Sequence, residues 1–225
     1  MRRKNPLTIK EIMLTDNLRW LGHAAFRFDG SKRIYFDPYR LPKKPPKADI
    51  ILVTHEHSDH LSLGDIKKIS SKACVIVTDG ASSRQLLAEK TTCKEIKTVC
   101  PGQNLDLDGV KIHAVASYNT NKHFHTCSSA KLGFIISIDG IKIYHAGDTD
   151  FIPEMEDCKC DIALLPVSGT YVMTAEEAAE AALTIRPKLA VPMHYGSIVG
   201  SPDDAEKFRS LLRGKIEVYI PKKEV

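Results

Sequence analysis

The 225-residue sequence is 43% hydrophobic and 27% charged, with a formal net charge of +4. That length accommodates one sizeable core, and the apolar residues fall in short runs, which excludes a disordered-type composition. No run approaches the roughly 18–20 apolar residues that cross a bilayer, so no membrane span is expected.

The N-terminal Met1-Arg2-Arg3-Lys4-Asn5-Pro6 is basic, but no apolar stretch follows it. A cleaved secretion signal is therefore not expected. Six cysteines (Cys74, Cys93, Cys100, Cys127, Cys158 and Cys160) include no C-x-x-C pair. Reduced, mostly buried thiols and a cytoplasmic location are the expectation. The basic clusters Arg2-Arg3-Lys4, Lys43-Lys44 with Lys47, and Lys222-Lys223 are scattered. Solvated surface explains them better than a nucleic-acid track. One domain over 1–225 is expected, with 1–16 as a loosely ordered segment.

In chain order, alternation over Leu18–Phe28 predicts a strand. Asp29-Gly30 is a hairpin signal, and Arg33–Phe36 returns. Leu41-Pro42-Lys43-Lys44-Pro45-Pro46 reads as a surface loop. Ile50–Thr54 is a buried strand, and Ser62 is placed to cap a helix over Leu63–Ile69. Ala73–Val77 reads as a strand and Ala81–Ala88 as a helix. Asp108-Gly109 joins Leu105–Leu107 to Val110–Ser117, and Asp139-Gly140 joins Leu132–Ile138 to Ile141–His145. Three Asp-Gly hairpins favour antiparallel pairing in much of the sheet. Asp161–Pro166 is a strand, and Thr174-Ala175-Glu176-Glu177 is a capping box opening a helix over Ala175–Ile185. Pro187 stops it. Lys188–Pro192 is a strand, Asp203–Leu212 a helix and Ile216–Tyr219 a last strand. Hairpins followed by strand–helix alternation imply an α/β sandwich, with helices outside two mixed sheets.

The chemistry concentrates in Thr54-His55-Glu56-His57-Ser58-Asp59-His60, directly after a buried strand. His55 and His57 are two apart and project to one side of an extended chain. Asp59 and His60 follow as the loop bends, so one loop presents ligands to two adjacent metal positions. Imidazole and carboxylate suit zinc, manganese or iron(II), and the absence of thiolates is unlike a structural zinc finger. Four residues cannot complete two metal shells. Further candidates stand after other strands: Asp148 in His145-Ala146-Gly147-Asp148-Thr149, and His194 in Val191-Pro192-Met193-His194-Tyr195. Gly147 permits close backbone approach, and a carboxylate at Asp148 is placed to bridge two cations.

These segments, with Trp20-Leu21-Gly22-His23-Ala24 and Phe36-Asp37-Pro38, resemble the metallo-β-lactamase superfamily of metal-dependent hydrolases over nearly the whole chain. The sequence is similar to its small single-domain group, which includes the ascorbate-phosphate lactonase and N-acyl phosphatidylethanolamine phospholipase D branches. The resemblance implies a four-layer αββα sandwich with a dinuclear centre. His55 and His57 would serve the first metal, Asp59, His60 and His194 the second, and Asp148 would bridge. Asp37 would orient the histidine loop from behind.

One departure concerns the first metal. The family places another histidine after the strand that here is Val110–Ser117, and this chain reads Ser117-Tyr118-Asn119-Thr120-Asn121-Lys122-His123-Phe124-His125. Three readings stand: Asn119 is an oxygen ligand or supporting residue, His125 swings in from the loop, or the first shell is open. His125 is favoured over His123. His113, in mid-strand, reads as a core or second-sheet residue. His23 either approaches the metals or is structural.

The implied chemistry is attack by metal-activated hydroxide, with Asp59 and Asp148 as the catalytic carboxylates, on a small ester, lactone, amide or phosphodiester. Two divalent ions, zinc foremost with manganese or iron as alternatives, are the expected cofactors. Tyr171 and Tyr195 are substrate-contact candidates, with packed tyrosines as the alternative. The expected partner is a small molecule, and a homo-oligomer is allowed. The competing functions are a nucleic-acid phosphodiesterase and a non-catalytic metal- or ligand-binding protein. Iron redox chemistry of the flavodiiron type is disfavoured, because that branch carries Glu where this chain has His57.

Overall fold

The computed structural model describes residues 16–224. The expectation for 1–16 therefore falls outside the described residues, save Asp16. Among the described residues, thirteen strands form two mixed sheets, and four α-helices accompany them. Strands β1 (Leu18–Gly22), β2 (Ala25–Asp29), β3 (Arg33–Phe36), β4 (Ile50–Val53), β5 (Val75–Thr78) and β6 (Glu95–Thr98) lie in that order in the first sheet. β1 to β3 pair antiparallel and β3 to β6 parallel.

The second sheet begins with β7 (Asn104–Leu107), β8 (Val110–Ala116), β9 (Leu132–Ile138) and β10 (Ile141–His145), all antiparallel. It continues in parallel through β11 (Ile162–Pro166), β12 (Leu189–Met193) and β13 (Glu217–Val218). The helices are α1 (Leu63–Ile69), α2 (Gly80–Ala88), α3 (Ala175–Ile185) and α4 (Pro202–Leu211).

Burial explains the layering. β4 is buried along its whole length, as a parallel strand covered on both faces must be. Ile50 and Leu52 join the core between the sheets with Phe26, Phe28, Phe36 and Phe134. Ile51 and Val53 pack on the other face with Ile66, Ile69 and Leu86 of α1 and α2. Ala178, Ala182 and Ile185 of α3 and Phe208 of α4 cover the second sheet. Each fully buried phenylalanine contributes roughly 1.5–3 kcal/mol of burial free energy.

The expected strand over Leu18–Phe28 is two strands. Gly22 (φ 109°) and His23 (φ 53°) turn the chain, and Trp20 pairs with Phe26. An even-numbered register between the arms preserves the parity of the alternation, so the period-two pattern runs unbroken over the turn. The Asp108-Gly109 and Asp139-Gly140 turns have positive φ at both residues, as two-residue hairpins require. The Asp29-Gly30 connection instead spans Gly30 to Lys32.

The capping box forms: Thr174 Oγ1 accepts from the Glu177 amide at 3.2 Å, and the Glu177 carboxylate accepts from the Thr174 amide at 2.7 Å. Ser62 makes no cap bond, because its hydroxyl donates to Asp65 Oδ2 at 2.9 Å. β6 was not expected from the sequence. The thiols are free, but only Cys74 and Cys158 are buried, and Cys100 and Cys127 are exposed. Mostly buried thiols is therefore corrected: Cys100 follows the edge strand β6, and Cys127 opens a short 3-10 turn (Cys127–Ser129) in the connection between β8 and β9. No helix among the described residues is long and apolar enough to cross a membrane.

Candidate metal centre

The C-terminal ends of β3, β4, β8, β10, β11 and β12 meet at one edge of the sandwich, and every sequence-predicted metal ligand lies on the segments that follow them. The amide of Leu132, opening β9, donates to the Thr54 carbonyl at 3.1 Å and stitches the sheets together there. Gly147 (φ 67°) is required at this seam, since a Cβ on it would lie 2.5 Å from the Leu132 carbonyl oxygen.

Asp37 is fully buried at the end of β3. Its Oδ1 accepts from the Thr54 amide at 2.8 Å. Its Oδ2 accepts from the Thr54 hydroxyl and from His60 Nδ1, both at 2.7 Å. Thr54 spends its one hydroxyl proton on Asp37, so at 2.9 Å it accepts from His55 Nδ1. Both rings thus carry a proton on Nδ1 and turn Nε2 inward.

His125 reaches the same result by another route. The Asn119 amide nitrogen donates to Asp150 Oδ1 at 3.2 Å and to the Tyr171 carbonyl at 2.8 Å. Two acceptors on one end fix the amide, so its oxygen faces the His125 backbone N–H and Nδ1, each at 3.2 Å. Nδ1 must therefore donate, and Nε2 is free. Asp150, buried, also accepts from the amides of Thr120 and Asn121 and pairs with Lys122. Ser168 directs its hydroxyl proton to the Thr170 carbonyl at 3.5 Å and so accepts from His194 Nδ1 at 3.1 Å, and the His194 amide donates to the His23 carbonyl at 3.0 Å.

The inward atoms form two clusters. His55 Nε2 and His125 Nε2 lie 3.0 and 3.2 Å from His57 Nδ1. His60 Nε2 lies 3.2 Å from Asp148 Oδ1 and 3.5 Å from Asp59 Oδ2, and His194 Nε2 lies 3.2 Å from Asp148 Oδ2. Asp148 Oδ2 is also 3.9 Å from His55 Nε2, so this carboxylate spans both clusters. His23 Nε2 lies 3.0 Å from Asp59 Oδ2, and its ring centroid is 4.0 Å from that of His194.

The donor set fits divalent ions. His60 Nε2, His194 Nε2 and Asp148 Oδ1 are buried without a hydrogen bond, which costs free energy unless something binds there. Nitrogens about 2.0–2.1 Å from one tetrahedral zinc stand about 3.3 Å apart, close to the separations in the first cluster.

The electrostatics favour the metal-binding form of most donors, with His60 the exception. Burial, reinforced by His60, holds the His55 pKa well below its ordinary value, so the ring stays neutral. Burial opposes ionisation of Asp59 and Asp148, but histidine neighbours outweigh it. His23 and His60 bring Asp59 down to about 2, and His194 and His60 hold Asp148 well below the carboxylate range. Burial pulls His60 down, yet Asp148 and Asp37 together raise it well above the ordinary imidazole value.

A cleft of about 260 Å³ opens over the clusters. Its floor is His57, Asp59, His125, Asp148 and His194, and its walls are Ser58, Phe124, Tyr171, Ile198 and Val199. Tyr195 is not part of it. Tyr195 is buried and stacks on Trp20 with ring centroids 5.0 Å apart, so the packed alternative holds for this tyrosine. His123 is exposed and in neither cluster. His113 is half-buried in the second sheet, beside a larger depression of about 540 Å³ that holds none of the donor clusters.

His145, despite its place in the motif, has both ring nitrogens engaged. Nε2 donates to the Ala24 carbonyl at 2.8 Å, and Nδ1 accepts from the Gly147 amide at 3.2 Å. Sequence reasoning missed the parts played by Thr54 and Asp150, and it offered the hydroxyl of Ser168 as substrate wall where the structure sets it against His194 Nδ1. A second acid two residues after Asp148 was the one available signal for Asp150.

Comparison with known proteins places the chain by family and fold. The profile of a beta-lactamase superfamily domain matches residues 17–194. A metal-dependent hydrolase of Thermococcus onnurineus is 36% identical over 220 residues, covering 91% of this chain and 96% of the relative. Among solved structures, a protein of Parabacteroides distasonis described as a metal-dependent hydrolase is 32% identical with a TM-score of 0.79, covering 92% of this chain and 93% of that one. A metallo hydrolase of Ignicoccus hospitalis is 25% identical with a TM-score of 0.74, covering 92% of this chain and 95% of its own. The sandwich, the donor clusters and these relatives lead to one conclusion: the chain belongs to the metallo-β-lactamase superfamily, among its metal-dependent hydrolases.

Proposed function

We propose that this chain hydrolyses a small ester, lactone or phosphodiester with two divalent ions, zinc foremost, in the cleft. The observation that carries this reading is the convergence of the inward ring nitrogens of His55, His57, His60, His125 and His194 around a carboxylate, Asp148, that reaches both clusters. His55, His57 and His125 would hold one ion, Asp59, His60 and His194 the other, with Asp148 between them. When bound, such ions supply a hydroxide equivalent at neutral pH and polarise the oxygen of the scissile group.

The chain's own groups do the rest. The buried Nδ1 bonds of His55, His60, His125 and His194 hold each ring in one tautomer and one orientation. Asp59, 19% exposed at its side chain and bonded to His23, faces the cleft as the group to orient water or receive its proton. His125 completes the first cluster, which removes the motive for a non-catalytic protein. No lysine or arginine lines the cleft, which speaks against a nucleic-acid substrate. Six free thiols suit a reducing compartment such as the cytoplasm.

Elemental analysis of the purified protein, followed by assays of zinc- and manganese-loaded samples on esters, lactones and phosphodiesters, tests the proposal. Two ions per chain and turnover abolished by chelation are the expected results. A fully loaded protein inert toward all three classes would sink it.

A further inference from the structure

Six large hydrophobic side chains are exposed among the described residues, and three of them (Phe124, Tyr171 and Ile198) ring the mouth of the metal cleft. The other three, Leu87, Leu183 and Leu211, lie on α2, α3 and α4. The rim residues come from three separate segments, following β8, β11 and β12, so local sequence does not explain their meeting. Phe124 is 60% exposed and Ile198 49%. Phe124 and Tyr171 stand edge to face with centroids 4.5 Å apart, and half-buried Val199 extends the wall inward. Apolar surface gathered at the entrance of a polar site is a recognition surface for something apolar.

Charge points the same way. The cations on neighbouring segments are turned to other partners: Lys122 to Asp150, Lys131 to Glu56, and Arg40 to Ser197 Oγ and the Tyr39 ring. Apart from the metal ions, an anionic substrate would find no counter-charge in the walls. The wall is also built in place. Tyr171 sits at φ 67°, and its carbonyl is held by the same Asn119 amide that fixes His125. The apolar wall and the first donor cluster are therefore in fixed relation before any substrate arrives, which lowers the ordering cost of binding.

We infer that the substrate is an uncharged carboxylic ester or lactone whose acyl chain or ring lies against Phe124, Tyr171, Ile198 and Val199 while its carbonyl sits over the donor clusters. This rests on the proposed hydrolase reading and narrows it.

Two series test it with the metal-loaded protein. One is turnover of p-nitrophenyl acetate through hexanoate, with bis(p-nitrophenyl) phosphate alongside. The other needs no turnover: calorimetric binding of acetohydroxamate through hexanohydroxamate. Both kcat/KM and affinity should rise about two- to fourfold per methylene, the gain expected for burying one. In Phe124→Ser and Ile198→Ser proteins of unchanged melting temperature, the total gain from the two-carbon to the six-carbon compound should fall to about fivefold or less.

A flat hydroxamate series in the wild-type protein overturns the inference, as does a phosphodiester preferred over every ester. Rim substitutions that dissociate an oligomer also overturn it, because a second copy would then be the occupant. Length-dependent hydroxamate binding without turnover of any substrate class would support the apolar wall and count against the hydrolase reading alone.

Discussion

Both donor clusters rest on histidines, but one histidine in each is held in a different way. His60 is backed by the fully buried Asp37 carboxylate, at the close of a strand deep in the first sheet. His125 is backed by the neutral Asn119 amide, on a connection of fifteen residues between the end of β8 at Ala116 and the start of β9 at Leu132. A charged acceptor bonds an imidazole N–H more strongly than an amide oxygen does. The loop compensates with Asp150, which gathers Thr120, Asn121, Lys122 and Asn119 around one buried carboxylate. A rigid strand end needs one strong contact to hold a ligand. A loop needs a network, and its ligand is the more easily lost.

Substitutions can break this contrast at graded depths. Asp148→Ala should have the largest effect, because Asp148 touches both clusters. Metal affinity at both positions should fall by more than the roughly 10–100-fold typical of a supporting residue. Competition against a chromophoric chelator measures it, and an Asp148→Ala protein retaining two tight ions would refute the bridging role.

Asp37→Ala comes next. It should weaken the His60 cluster directly, by about 10–100-fold, and the His55 ring through Thr54 to a smaller extent. It also leaves the buried Thr54 amide without its acceptor, so chemical denaturation of the metal-free protein should show a loss of about 1–3 kcal/mol.

Asn119→Ala should weaken only the His55–His57–His125 cluster, by about tenfold, leaving the Asp59–His60–His194 cluster as it was. Loading both sites with a spectroscopically active ion such as cobalt separates the two. Equal weakening of both would erase the distinction drawn here. Ser168→Ala should be mildest, a few-fold at the second cluster alone, since a small solvent molecule can replace one hydroxyl as the acceptor for His194 Nδ1.

Much of this was legible in the sequence. The three Asp-Gly turns and the Thr174 capping box are local signals, and each connects or opens the element expected of it. The resemblance brought the ligand set, and the structure gathers those residues at one sheet edge. The unread parts depend on partners distant in sequence. Glu95-Ile96-Lys97-Thr98 has no apolar alternation and becomes β6 only through pairing with β5. The turn at Gly22-His23 is hidden because both arms share one parity. Spacing alone offered Asn119, His123 and His125 to the first cluster. The choice is made by Asp150, thirty-one residues beyond Asn119 in sequence, and by the Tyr171 carbonyl. Tyr195 looked available beside His194, but Trp20 claims its ring.

The His23 carbonyl accepts both the Trp20 indole N–H at 2.9 Å and the His194 amide at 3.0 Å. This small contact has a consequence for assembly. In chain order the histidine loop precedes Asp148 by nearly the whole first half of the second sheet, and His194 follows only after β11 and β12. Neither cluster exists within the first sheet alone, so an ion captured by the early loop would be held by too few donors to stay. Secure loading must wait until the late strands dock against the hairpin that His23 turns. The donor set is therefore complete only where β12 is docked, so no stretch of the chain ending before His194 holds all the donors of the second cluster.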